Sequence, residues 1–298
     1  MTNKLQHNSS FYNSLKDLQS NGNSELFHLI SRYQKHPFHL VERSPWPILT
    51  SFSLFMAAIG AVTYMHAFNK GGLLLSLGLT LVLFSMILWF IDVNSESSHV
   101  GHHTKEVKKH HMIAIELFII SEAFAFLSIF WAYFHSALAP SIELGGNWPP
   151  LGIDPMQPWA IPLLNTLLLV GSGSYITLGH HSFIGRERKF AIYGFIVTLI
   201  LASIFTGFQY FEYSQSSFNI SDSVYSAAFF CSTGLHGFHV IVGTLMLFVA
   251  YLKLLNYQTT NSHHAGAEAG IVYWHFVDVV WLLLFAVAYV WPYGSVTH

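Results

Sequence analysis

The chain has 298 residues, of which 52% are hydrophobic and only 9% charged, where a soluble domain carries roughly a quarter charged residues. That deficit places the chain in a membrane, and a net charge of -2 gives no electrostatic reason to expect nucleic acid as a partner. The single cysteine, Cys231, excludes an internal disulfide framework and a thiolate metal cage, and it reads as a small packing residue.

Residues 1–43 come first and are rich in Asn, Ser, Gln and His. They lack the long apolar region of a secretory signal and read as a polar extension, with SELFHLISRY as a short interfacial helix. A hydrocarbon core about 30 Å thick is crossed by roughly 20 apolar residues in a helix. Seven runs meet that length: Trp46 to Phe68, Gly72 to Ile91, Met112 to Ala137, Ala160 to Phe183, Phe190 to Tyr213, Val224 to Leu255 and Ala269 to Trp291. The sixth is long enough to tilt or project beyond the bilayer. Between the third and fourth, APSIELGGNWPPLGIDPMQP carries the prolines and glycines of a loop, and its Trp148 suits the interface, so an ordered cap over the bundle is expected.

Short loops on the cytoplasmic or matrix side collect Lys and Arg. With the N-terminus inside, the inner segments hold Lys4, Lys16, Arg32, Lys35, Arg43, Lys105, Lys108, Lys109, Arg186, Arg188, Lys189 and Lys253, and the outer side holds only Lys70. A missed helix would scramble every loop after it, so this asymmetry supports seven spans with the C-terminus outside. The chain is therefore expected to be an all-α polytopic membrane protein.

Ionisable residues at membrane depth are functional hypotheses by default. Glu122, in ELFIISEAFAFLSIFW, lies about 15 Å along its helix from Met112, near the midplane. Without a partner, desolvation favours the neutral carboxyl, which can donate a hydrogen bond or exchange a proton. Both readings stand: a carboxyl bonded to a neighbouring helix, and a proton-exchanging group. Glu116 points about 120° away around the helix and cannot pair with it. Glu212 sits at the outer end of the fifth span. In the seventh, His275 and Asp278 share a face, and a local His to Asp hydrogen bond is expected to satisfy both as structural polar residues.

The 19 histidines invite a metal reading. His236 and His239 are spaced to share a helix face. The adjacent pairs at 102/103, 110/111, 180/181 and 263/264 point about 100° apart within each pair and chelate poorly. The seven apolar spans carry no Glu-x-x-His repeat of the kind that builds bundle metal sites, so no metal site and no catalytic residue is expected in this chain.

The order and content of SPWP (Ser44 to Pro47), GHHT (Gly101 to Thr104), FIISEAFAF (Phe118 to Phe126), FHSALAP (Phe134 to Pro140), GGNWPPLGI (Gly145 to Ile153), IPLLNT (Ile161 to Thr166), ISDSVY (Ile220 to Tyr225), GLHGFHVIVGT (Gly234 to Thr244) and YWHFVDVVWL (Tyr273 to Leu282) resemble cytochrome c oxidase subunit III, from about Lys35 to the end. The resemblance implies seven transmembrane helices, with a two-helix bundle (44–91), a linker (92–111) and a five-helix bundle (112–298) around a V-shaped cleft filled with lipid. It implies a non-redox subunit of a complex that passes electrons from cytochrome c to oxygen and pumps protons. The haem and copper centres then belong to partner subunits I and II, with accessory subunits beside them. Roles in assembly, phospholipid binding and proton uptake follow for this subunit. Glu122 matches the family glutamate that hydrophobic carbodiimides modify. Glu96, His103, His236, His239 and Lys253 fall at positions resembling lipid contacts, whereas Ile91 and Ser95 stand where arginines are usual. The implied location is the mitochondrial inner membrane with the N-terminus in the matrix, a bacterial plasma membrane being the alternative. A quinol oxidase subunit III usually lacks the first two helices. A proton-coupled transporter built on Glu122 would need a broken helix, for which Gly171 to Ser174 is the place the sequence offers.

Overall fold

The computed structural model describes residue 36 and residues 38–97, 101–142, 145–260 and 264–296. SELFHLISRY and most of the polar extension lie outside the described residues. Seven helices are long and apolar enough to cross a membrane: α1 Trp46–Met65, α2 Gly71–Ser95, α3 Lys105–Leu138, α4 Ile161–Ile184, α5 Arg188–Ser214, α6 Val224–Leu255 and α7, which begins at Ala265. Helix is the form these runs must take, because hydrocarbon supplies no water to pair an open backbone. Proline in the first turn opens α1 and α4, where its missing N–H costs nothing. Ser223 caps α6 by accepting from the Ser226 backbone N–H, and Ser226 returns the bond to the backbone of Ser223.

Two departures from the expected boundaries have physical causes. Helix α3 starts seven residues before Met112, because Lys105, Glu106, Lys108 and Lys109 favour helix and their charges can extend past the hydrocarbon. With α2 running to Ser95, the linker expected over 92–111 is mostly helix, and its described irregular part is Gly101–Thr104. Secondly, α7 is regular only to Leu284, then widens into a π-helical turn over Phe285–Val290 before the short helix α8, Trp291–Val296. Hydropathy carries no sign of this turn, which buries Ala288 and Tyr289.

The chain divides into two compact units, one ending at His110 and the other beginning at His111. In the first, α1 and α2 pack at backbone distance. A Cβ on Gly60 would strike the backbone of Leu75, and one on Gly78 the backbone of Ala57. Small residues thus do here what they do at close membrane-helix crossings generally. Polar links add to this packing: Thr50 Oγ1 donates to Ser85 Oγ at 2.9 Å, and Trp46 Nε1 donates to the Asp92 carboxylate. The remaining faces of both helices, with Phe52, Phe55, Leu83 and Phe84 exposed, are apolar and suit lipid or other subunits.

In the second unit α4 and α5 touch at Gly179 and Gly194. Leu169, Ile176, Phe205, Phe229, Trp274, Trp281 and Tyr289 form its fully buried centre. The two tryptophans of α7 bury their rings and still satisfy their N–H groups on α4: Trp274 Nε1 donates to Ser172 Oγ at 3.0 Å and Trp281 Nε1 to Thr166 Oγ1 at 2.9 Å. Helix α4 runs unbroken through Gly171 to Ser174, so the discontinuity required by the transporter reading is missing at the place offered for it. Trp148 in the long loop packs edge-on against Tyr133 and Tyr225 and donates to the Tyr133 hydroxyl at 3.3 Å, giving the expected cap.

Candidate functional site

Helix α3 carries Glu122 and α6 carries His239, 117 positions apart in sequence, and the structure brings them to 2.9 Å between Glu122 Oε2 and His239 Nε2. The histidine side chain is only 4% exposed and the glutamate 25%. Phe126, one turn beyond Glu122, has its ring 5.0 Å from the imidazole, and Tyr273 stacks near-parallel on it from α7 at 6.1 Å. The pair is therefore walled by aromatic rings on two sides.

The other imidazole nitrogen settles where the proton lies. His239 Nδ1 stands 2.8 Å from the carbonyl oxygen of Leu235, one turn back on α6. A carbonyl only accepts, so Nδ1 carries a hydrogen. If the ring is neutral, Nε2 is then bare and the Glu122 carboxyl must donate to it; if the ring is an imidazolium, Nε2 donates to a carboxylate. In both descriptions one proton lies between Oε2 and Nε2 and the pair is neutral overall. A neutral pair explains how an acid persists at this depth, since an isolated charge there costs at least a few kcal/mol. It also leaves a single mobile proton, so the hydrogen-bonding and the proton-exchanging readings of Glu122 describe one arrangement.

Lipid contact at His236 and His239 is corrected by this geometry. Both His239 nitrogens are occupied within the protein. His236 is 1% exposed, its Nε2 is 3.2 Å from the Val277 carbonyl, and Phe205 and Trp281 enclose its ring. Neither offers an edge to a head group. Lys253, at the end of α6, remains half-buried. In the first unit Glu96 and His103 do converge, together with His39, which the sequence did not single out; His39 Nδ1 is 4.0 Å from Glu96 Oε2.

The local bond expected between His275 and Asp278 does not form. Their closest atoms, Nδ1 and Oδ2, are 3.9 Å apart, beyond hydrogen-bond range. His275 Nε2 instead meets Thr177 Oγ1 of α4 at 3.2 Å, while Asp278 is pressed against Gly173, where any Cβ would overlap its Oδ2. For His275 an interhelical partner outcompeted the neighbour on the same helix, while Asp278 Oδ1 is buried with no hydrogen bond among the described residues, neither of which spacing alone could reveal. Glu116 is exposed, apart from the pair, and Glu212 is buried.

A second group was also missed. His180 of α4, His264 just before α7 and Glu268 in its first turn each present one ligand atom, all within 4.8 Å of one another. Two of the adjacent-histidine pairs, 180/181 and 263/264, each supply a described member to this group, which joins separate elements and so is not visible in the spacing within a pair. The i, i+4 spacing of His264 and Glu268 was the available signal.

The family described as Cytochrome c oxidase subunit III matches residues 36–293. A protein named "Cytochrome c oxidase subunit 3" from Schizophyllum commune is 52% identical over 262 residues, covering 88% of this chain and 98% of the relative. Proteins of the same name from Pyricularia grisea and Triticum aestivum are 52% and 51% identical, over 88% and 87% of this chain and 97% of each relative.

Proposed function

The chain belongs to the cytochrome c oxidase subunit III family, and from that premise we propose that it is the non-redox core subunit that supports proton uptake into the oxygen-reducing subunits of a respiratory oxidase. The observation that carries this reading is the neutral Glu122–His239 pair, which holds one proton between two transmembrane helices at the depth where the family's reactive glutamate is expected. Such a pair passes a proton by shifting it between Oε2 and Nε2 without placing net charge in the hydrocarbon. A carboxyl that holds this proton part of the time is also the species that a hydrophobic carbodiimide attacks.

Haem and copper belong, on this reading, to partner subunits I and II, which receive electrons from cytochrome c. The exposed apolar faces of α1 and α2 meet lipid and neighbouring subunits. Phospholipid head groups are held at Glu96 and His103 in the first unit and at Lys253 in the second, the carboxylate facing an ammonium and the cations facing phosphate. On this reading the chain spans the mitochondrial inner membrane, and the Lys and Arg asymmetry supports an N-terminus on its matrix side.

Purification through a tag on this chain tests the assignment. The expected preparation contains two larger redox subunits, oxidises cytochrome c, and loses its haem and copper with those subunits when this chain is released. A released chain that carries stoichiometric haem or copper overturns it.

A further inference from the structure

We propose that His180, His264 and Glu268 form a divalent transition-metal site, of the Zn2+ class, joining the C-terminal turn of α4 to the N-terminal turn of α7. The two imidazoles come from separate elements and meet with ring centroids 5.6 Å apart at 63°. His264 Nε2 is 2.9 Å from Glu268 Oε1, and one ligand atom from each of the three residues lies within 4.8 Å of the others. Bonds of about 2.0–2.1 Å to a tetrahedral ion set ligand atoms roughly 3.3 Å apart, so modest side-chain rotation closes the group on a metal.

An independent observation points to a missing ligand. His180 Nε2 and both nitrogens of His264 are shut off from solvent and make no hydrogen bond among the described residues. The His264 side chain is 9% exposed, and Phe183 packs edge-on against its ring at 5.2 Å. Buried imidazoles are normally satisfied, so orphaned nitrogens on both rings of one three-residue group mark an unfilled site; the two nitrogens of His264 point away from each other, and one of them serves as the ligand. The close approach to Glu268 fails the geometry of a hydrogen bond yet suits two ligands that share an ion.

Donor chemistry selects the class of ion. Two imidazoles and one carboxylate form the His2Glu set that binds Zn2+ with a fourth position open to water. Hard ions such as Mg2+ and Ca2+ prefer all-oxygen shells. The Glu268 side chain is 36% exposed, which leaves an entry path from the polar side. Bound there, the ion fastens two helix ends that are otherwise linked by van der Waals contact, and it takes no part in electron transfer.

The test uses the assembled oxidase carrying wild-type chain or a single variant, His180→Gln, His264→Gln or Glu268→Gln, with His66→Gln as a control outside the group. Each complex is stripped with a chelator and titrated with Zn2+, and metal is counted per haem, so only assembled material is scored. Loss of an outer-shell partner alone weakens metal sites by about 10–100-fold, and loss of a ligand is expected to do at least that. The wild-type and control complexes should bind one more equivalent at micromolar free Zn2+ than each variant. X-ray absorption of that equivalent should give N/O neighbours at about 2.0–2.1 Å. Equal metal counts in the wild type and every assembled variant would overturn the site. Because the readout is metal and not turnover, it is independent of the proton-uptake reading.

Discussion

Replacing Glu122 by alanine or glutamine separates the two things its carboxyl does. In Glu122→Ala the bare Nε2 of His239, on a side chain only 4% exposed, loses its donor. A buried polar atom left unpaired costs about 1–3 kcal/mol. At membrane depth the 25% exposure of Glu122 meets no water, so the vacated space stays dry and the whole range applies, roughly 5- to 160-fold in an equilibrium. In Glu122→Gln the amide N–H2 can donate to Nε2 in place of the acid, keeping the cost below about 1 kcal/mol. The assay is loss of this chain from the native complex in graded denaturing detergent. Alanine should release it roughly 5- to 160-fold more readily than wild type and glutamine less than about fivefold more readily. A glutamine variant as labile as the alanine variant, or an alanine variant as robust as wild type, refutes the tautomer argument.

Three further substitutions probe the frame around the pair. Gly173→Ala places a methyl group against Asp278 Oδ2 and should force α4 and α7 apart at a cost of about 1–3 kcal/mol, seen as a lower yield of assembled complex. Ser172→Ala leaves the wholly buried indole N–H of Trp274 without its acceptor, and about 1–3 kcal/mol of stability should be lost, read as a lower thermal midpoint for release of the chain. Arg188 donates from one guanidinium nitrogen to the carbonyls of Leu254 and Leu255 at 2.7 and 2.9 Å and lies 3.4 Å over the Tyr257 ring. Lysine cannot reproduce that planar stacking and fork, so Arg188→Lys should increase protease cleavage within residues 256–260 even though charge is unchanged.

Seven helices long and apolar enough to cross a membrane were legible because apolar length is a property of the chain itself. The expense of Glu122 was legible for the same reason. Its partner was not, since His239 lies 117 positions away and nothing in either helix indicates which faces meet. Local spacing misled at His275 and Asp278, where the i, i+3 relation predicted a bond; His275 instead meets Thr177 on α4, and Asp278 only packs against Gly173. The same limit explains His236, whose position resembled a lipid contact until packing against Phe205 and Trp281 enclosed it. The start of α3 was misplaced because apolarity marks where a helix is in lipid and not where it begins.

The central claim is that the proton held between Glu122 and His239 supports proton uptake by the oxidase. It is tested most directly by steady-state turnover, and by its decay over repeated cycles, in the intact complex bearing Glu122→Gln. Glutamine keeps the hydrogen bond and removes the exchangeable proton, so turnover should fall or inactivation should come after fewer cycles, with the chain still bound. Unaltered turnover together with unaltered decay would contradict the account and leave the pair only its hydrogen-bonding role.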